Sequence, residues 1–247
     1  NLQKIIKELL FILTLKYSCY ICTVLYITKL MGKIISFANQ KGGVGKTSLC
    51  AIFANHLTAK GQKVSVKDMD IQMSLSGHRE DDLKVDPEAK PSWDVEFVNP
   101  MDSKEVAAKL QAWKADDSIT LIDAPGSLAF PGLVPILKNA DIIVIPMTYD
   151  HDVLRSTLGF LKVVLGTLQV KAKLVFLPNR INVSEGTQEE LAQQRHNADI
   201  LKKYGILAPR IKQSVKVKRY STIYENDTYL EKAVAYAFEP IVELIKK

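Results

Sequence analysis

Seven residues, Lys41-Gly42-Gly43-Val44-Gly45-Lys46-Thr47, restrict this chain more than any others. An apolar run, Ile34 to Ala38, precedes them, and Ser48 to Leu57 follows with apolar side chains at helical spacing. Strand, glycine-rich turn, helix is the order in which such a turn cradles a phosphate. Glycines let backbone N–H groups approach a polyphosphate, and a helix starting near Lys46 aims its unpaired N–H groups and positive dipole end at the anion. Lys46 is then placed on the β- and γ-phosphates. The Thr47 hydroxyl is placed to ligate a Mg2+ ion that bridges them. Ser48 completes the nucleotide-binding stretch.

The same alternation continues along the chain. Lys63 to Asp70, Ile119 to Asp123, Asp141 to Pro146 and Leu174 to Pro178 read as strands, and Ser103 to Lys114, Val153 to Leu168 and Thr187 to Lys203 as helices. Repeated βα units predict an α/β three-layer sandwich with a mostly parallel central sheet, the P-loop NTPase architecture. Glu80 to Pro100 is charged and contains proline. Trp93 and Phe97 are its candidate anchors, and no role can be read from it.

Carboxylates close two of the strands. Asp68 and Asp70 are two apart, so in extended backbone they share a side and reach toward a metal and a γ-phosphate. The carboxyl ends of parallel strands are where such sheets carry function. The same aspartates also suit the capping of a strand or turn. Asp123 ends an apolar strand in the Walker B pattern, which places it to hold Mg2+ through water. Asn179 and Arg180 close another strand, a position where asparagine also serves as an ordinary turn residue. The densest basic stretch runs from Pro209 to Arg219. Lys212, Lys216, Lys218 and Arg219 have few acids among them before Glu225, so they can form a positive patch suited to phosphate backbone. Their alternation equally suits a solvated strand.

With 247 residues, 47% of them hydrophobic, the chain can bury a sizeable core, and residues 31–247 read as a single domain. Residues 1–30 read instead as an upstream extension or apolar leader outside the fold. Lys7, Glu8 and Lys16 interrupt their apolar run, and a spanning helix needs about 20 mostly apolar residues. That segment holds four lysines against one glutamate, so the formal charge of +6 falls to about +3 without it. It also holds Cys19 and Cys22, which leaves Cys50 alone, with no intrachain disulfide and a reducing compartment as the natural setting. The four histidines lack metal-site spacing. The tail from Glu239 to Lys247 is short, and its acids oppose anionic lipid.

The loop matches the pattern KGGxGK followed by Ser or Thr, and here the chain resembles the deviant Walker A ATPases of the ParA/MinD group. Asn39-Gln40 favours the ParA side. The resemblance implies ATP and Mg2+ as cofactors and an ATP-dependent homodimer in which Lys41 reaches the partner's nucleotide. It implies that Lys41, Lys46 and Asp70 are catalytic, with Asp70 orienting the attacking water, and that Asp68 supports the hydrated Mg2+. It further implies that Asn179 reads the adenine edge. Lys212, Lys216, Lys218 and Arg219 would bind DNA without sequence preference, and a ParB-like protein would stimulate slow hydrolysis during plasmid or chromosome partition. Such a protein is cytoplasmic and nucleoid-associated. This chain departs from the family's DxDPQG at Ile71 and Met73, and has Ala124-Pro125-Gly126 where T-P-P is usual. A MinD-like membrane ATPase and a biosynthetic enzyme of the dethiobiotin synthetase type are the alternatives, the second disfavoured by Lys41.

Overall fold

The computed structural model describes residues 32–182 and 187–247, so the expectation for residues 1–30 lies outside the described residues. Seven strands make one parallel sheet: β1 (Lys33–Phe37), β2 (Val64–Asp68), β3 (Asp94–Phe97), β4 (Ile119–Asp123), β5 (Ile142–Met147), β6 (Lys173–Pro178) and β7 (Ile206–Leu207). Their spatial order is β3-β2-β4-β1-β5-β6-β7. After β1 the chain lays strands on one side and then, from β5, on the other. The order therefore reverses about β1, and the crevice beyond its carboxyl end is where parallel α/β sheets bind ligands.

Alternation along each strand explains why both faces are covered. Ile35 and Phe37 of β1, Ile142 and Val144 of β5, and Val175 and Leu177 of β6 enter one apolar cluster. Ile34, Ile143, Ile145, Leu174 and Phe176 point the other way into a second. Strands buried on both faces need continuous apolar runs, which is what these segments show. Helices α1 (Lys46–Thr58) and, near the C-terminus, Thr228–Ile245 pack on the first face, the latter through Leu230, Val234, Phe238 and Ile241. The second face carries Val106, Leu110 and Trp113 from Ser103–Ala115, Ile136 and Leu137 from Leu133–Asn139, and Phe160 from His151–Leu161. In chain order the helices are α1, α2 (Ser74–Val85), α3 (Ser103–Ala115), α4 (Leu133–Asn139), α5 (His151–Leu161), α6 (Gln188–Lys202), α7 (Val215–Lys218) and α8 (Thr228–Ile245). This is the predicted three-layer α/β sandwich.

Local differences have physical reasons. The strand predicted to reach Asp70 stops at Asp68, because the chain turns there: the Met73 N–H donates to the Asp70 carbonyl at 2.9 Å. The segment left unassigned supplies α2 and the edge strand β3, neither with an apolar stripe of its own, since only Leu75, Ser76 and Arg79 of α2 are buried. The helix read from Val153 to Leu168 passes from α5 into a π-helical stretch, Lys162–Thr167. The residues read as a short tail complete α8, which accommodates Pro240.

Candidate functional site

The glycine turn runs directly into α1. Gly43 and Gly45 have φ of 76° and 99°, left-handed values that a side chain resists. Gly45 is the residue before the helix, with no side chain capping it and no acid in the first turn of α1. The helix start is thus an open anion site in a segment whose geometry only glycine meets cheaply. Lys46 is 8% exposed. Burial lowers its pKa, opposed by the nearby carboxylates of Asp123 and Asp70. A Cβ built on Gly126 would lie 3.6 Å from Lys46 Nζ, so the Gly126 loop sits against the head of this lysine.

Lys41 is exposed and makes no ion pair among the described residues. Its backbone is fixed even so. The Lys41 N–H donates to Asn39 Oδ1 at 3.3 Å, while Asn39 Nδ2 donates to the Pro146 carbonyl at 2.8 Å and to Thr157 Oγ1 at 3.0 Å. Asn39 is buried, and it ties the start of the loop to β5 and α5. The sequence reading used Asn39 only for its resemblance and missed this anchoring.

The three aspartates have different surroundings. Asp68 and Asp123 are register partners at the ends of β2 and β4, both fully buried. Asp68 is engaged through both oxygens: Oδ2 accepts from the Leu75 N–H (3.1 Å), the Ser76 N–H (2.9 Å) and Ser76 Oγ (2.9 Å), and Oδ1 from the Asp70 N–H alone (3.1 Å). It caps α2 from outside, which is the capping role its residue type also allowed. Asp70 lies beyond the strand and does not share the extended geometry expected of the pair. Its Oδ1 accepts the Gln72 N–H at 3.0 Å. Asp123 is the opposite case, with neither oxygen accepting a hydrogen bond in this structure. Burial raises its pKa to about 7, and the charges of Asp68 and Asp70 push the same way; the Thr47 hydroxyl and Lys46 pull it down. Thr47 is close enough to act on Asp123 without reaching hydrogen-bond geometry.

A buried carboxylate with unused oxygens beside a threonine hydroxyl and an open helix start suits a hard divalent cation that keeps waters and phosphate oxygens as its other ligands. Among the described residues, no three His, Cys, Asp or Glu side chains gather into a ready-made metal cage. The residues present therefore fit Mg2+ held jointly with a phosphate. Thr47 and Asp123 would hold it, while Asp68 Oδ2 is occupied by α2 and Oδ1 accepts a single N–H.

Asn179 and Arg180 sit under the same loop. Asn179 is 1% exposed, and its Nδ2 donates to the Val44 carbonyl at 2.9 Å. Arg180 has φ of 57°, and its Nη1 donates to the Gly43 carbonyl at 2.6 Å. Beside them opens a cleft of about 1030 Å3, walled by Gly42 to Val44, Tyr149, Arg155, Arg180, Gln193 and Gln213. The basic cluster begins at the wall of this cleft, which includes Ile181 and Gln213. Ile181 and Lys212 form a β-bridge, and the following residues make α7 rather than the exposed strand their alternation suggested, with Val217 turned into the core. Lys212, Lys218 and Arg219 are exposed, whereas Lys216 pairs with Asp227 at 2.5 Å.

Residues 35–225 match the sequence model of a family described as the CobQ/CobB/MinD/ParA nucleotide binding domain. The sporulation initiation inhibitor protein Soj of Bacillus subtilis is 28% identical over 247 residues, which cover 86% of this chain and 91% of Soj. A plasmid partition protein of Borrelia burgdorferi superposes with a TM-score of 0.61 at 20% identity, covering 86% of this chain and 99% of that one. Cobyrinic acid a,c-diamide synthase of Mycobacterium smegmatis, with a bound ATP analog and magnesium, gives a TM-score of 0.64 at 20% identity, with 87% and 96% covered.

Proposed function

Because the chain belongs to the CobQ/CobB/MinD/ParA nucleotide-binding family, we propose that it is a ParA-type ATPase that binds MgATP, dimerises on it and hydrolyses it slowly. One observation carries this reading: Lys41, exposed and in no ion pair among the described residues, begins the loop that leads to an uncapped helix start whose own lysine, Lys46, is already buried among carboxylates. Lys46 offsets the charge of one subunit's phosphates. Among the described residues Lys41 pairs with no carboxylate of its own subunit, which leaves it to neutralise a nucleotide across an interface. Thr47 and Asp123 would hold Mg2+, whose charge would offset the phosphate charge that otherwise opposes hydrolysis. Asp70 holds its loop through one carboxylate oxygen. The other accepts no hydrogen bond among the described residues and is available to orient water.

In this reading the ATP dimer brings two copies of Lys212, Lys218 and Arg219 together on one duplex, and avidity supplies binding that one patch lacks. The ATPase unit is residues 31–247. The protein works at the nucleoid in the cytoplasm, moves a plasmid or chromosome, and is released when a ParB-like partner stimulates hydrolysis. Asn39-Gln40 and the acids of the C-terminal tail favour partition over the membrane alternative, and Lys41 weighs against the biosynthetic one. Among the described residues no helix is long and apolar enough to cross a membrane.

The test is duplex DNA binding by the full chain with ATP, ADP or no nucleotide across a salt series. The reading expects ATP-dependent binding whose logarithm falls with log salt at a slope of about −0.9 per phosphate contacted. Substituting Lys212, Lys218 and Arg219 with alanine should flatten that slope. Dimerisation without DNA binding would refute partition and favour the membrane or biosynthetic alternatives.

A further inference from the structure

Resting on the nucleotide-binding reading of the phosphate loop, we propose that the Gly126 N–H donates to the terminal phosphate held by Lys46. Residue 126 is then a point at which this chain tells a nucleoside triphosphate from a diphosphate.

Residue 126 faces the head of the phosphate-loop lysine. Its chain neighbours aside, the one heavy atom among the described residues within 4 Å of a Cβ built on Gly126 is Lys46 Nζ, at 3.6 Å. The Gly126 nitrogen is two bonds from that Cβ, which puts it within about 6 Å of Nζ. Two hydrogen bonds of about 2.9 Å that meet on one phosphate group span such a distance. The donor is also unspent, since the half-buried Gly126 gives its N–H to no acceptor among the described residues. Backbone shape does not demand glycine here. The left-handed glycines are Gly43, Gly45 and Gly61, and a Cβ at 126 would meet Nζ at an ordinary contact distance. What the residue supplies is an N–H that the second proline of the T-P-P pattern lacks. Its neighbours hold that N–H in place. The Ala124 N–H donates to the Phe37 carbonyl at 3.1 Å, which extends the pairing of β4 with β1 one residue past Asp123. Pro125 is buried and has a fixed φ, and beyond Gly126 both Leu128 and Phe130 pack against the second apolar cluster. A donor fixed in advance beside a buried lysine needs no reorganisation when negative charge arrives.

The test compares Gly126→Ala, which keeps the N–H, with Gly126→Pro, which removes it, in calorimetric titrations of the full chain with the magnesium complexes of AMPPNP and ADP. Gly126→Pro should bind AMPPNP about ten- to a hundredfold more weakly than Gly126→Ala, the equivalent of one hydrogen bond to a charged acceptor, while the two variants bind ADP alike. A gap of equal size for both nucleotides, or none for AMPPNP, would overturn the proposal. Amide hydrogen exchange on the unaltered chain tests the same donor without a substitution. At saturation the Gly126 N–H should exchange more slowly with AMPPNP than with ADP, while the N–H of Ser127, its exposed neighbour, exchanges equally with both. Equal exchange at Gly126, or slowing shared by Ser127, would refute the donor and leave the nucleotide-binding reading standing. An unaltered chain that binds neither nucleotide would refute that reading and the donor with it.

Discussion

Replacing Asp68 by asparagine separates a capping carboxylate from a metal-supporting one. In the structure Asp68 Oδ2 receives three hydrogen bonds from Leu75 and Ser76, the second and third residues of α2, and the residue preceding that helix, Met73, supplies no side-chain cap. Asparagine keeps one acceptor oxygen, but its NH2 group cannot satisfy three donors. Whichever way the amide turns, either the Leu75 and Ser76 donors or the Asp70 N–H lose their partner inside the fold. A hydrogen bond to a charged acceptor contributes about 1.5–3 kcal/mol, and a buried donor left unsatisfied costs about 1–3 kcal/mol. The three donors are neighbours and do not add independently, so the expected loss is about 3–5 kcal/mol, a large share of the roughly 5–15 kcal/mol that holds a domain folded. The assay is urea unfolding of the nucleotide-free chain in the presence of a chelator. Asp68→Asn should lower the midpoint by about 1–2 M without changing the slope. If the nucleotide-free variant lost less than about 1 kcal/mol, and a defect emerged only with Mg2+ and nucleotide, Asp68 would be a metal-supporting residue and the capping argument would be wrong.

Other outcomes follow from the same structure. Asp123→Asn removes a buried, unpaired carboxylate, so thermal denaturation of the nucleotide-free chain should show equal or higher stability, while calorimetry should show Mg2+-dependent nucleotide affinity lost. Met73 has φ of 50° where the family carries glycine, and Met73→Gly should stabilise the chain by about 0.5–1 kcal/mol in the same urea assay, relief of the left-handed strain exceeding the added freedom of the unfolded chain. His56 is buried beside Glu231, and burial holds its pKa below the ordinary imidazole value despite that carboxylate. The unfolded chain then takes the proton first, so this contribution is present above the ordinary value and lost as pH falls from there through the lower folded value. Stability measured from pH 7 to pH 5 should decline less steeply in His56→Leu than in the unaltered chain.

The parts of the fold legible in the sequence were those where burial is double-sided. β1, β4, β5 and β6 are covered on both faces, so their apolar runs stand out, and the glycine turn between β1 and α1 needs residue types that little else requires. Elements with weak burial left no such trace. β3 is an edge strand spelled Asp94-Val95-Glu96-Phe97, and its Glu96 is held by Lys67 and Lys109 rather than by apolar packing. α2 starts by borrowing a cap from Asp68, which no local pattern encodes. At the site, spacing located Lys46, Thr47 and Asp123. It could not show how Asp68 and Asn179 spend their polar atoms, because those partners, Ser76 and Val44, are set by tertiary packing.

In the proposed function, nucleotide joins two copies of this chain through Lys41. The direct measurement is the molar mass of the full chain by sedimentation with MgATP and with MgADP, for the unaltered protein and for Lys41→Ala. The account predicts a doubled mass with MgATP alone and a monomer for Lys41→Ala under every condition, with Lys41→Ala still binding nucleotide. An unaltered chain that remains monomeric while saturated with MgATP, or a Lys41→Ala variant that dimerises as readily, would contradict it.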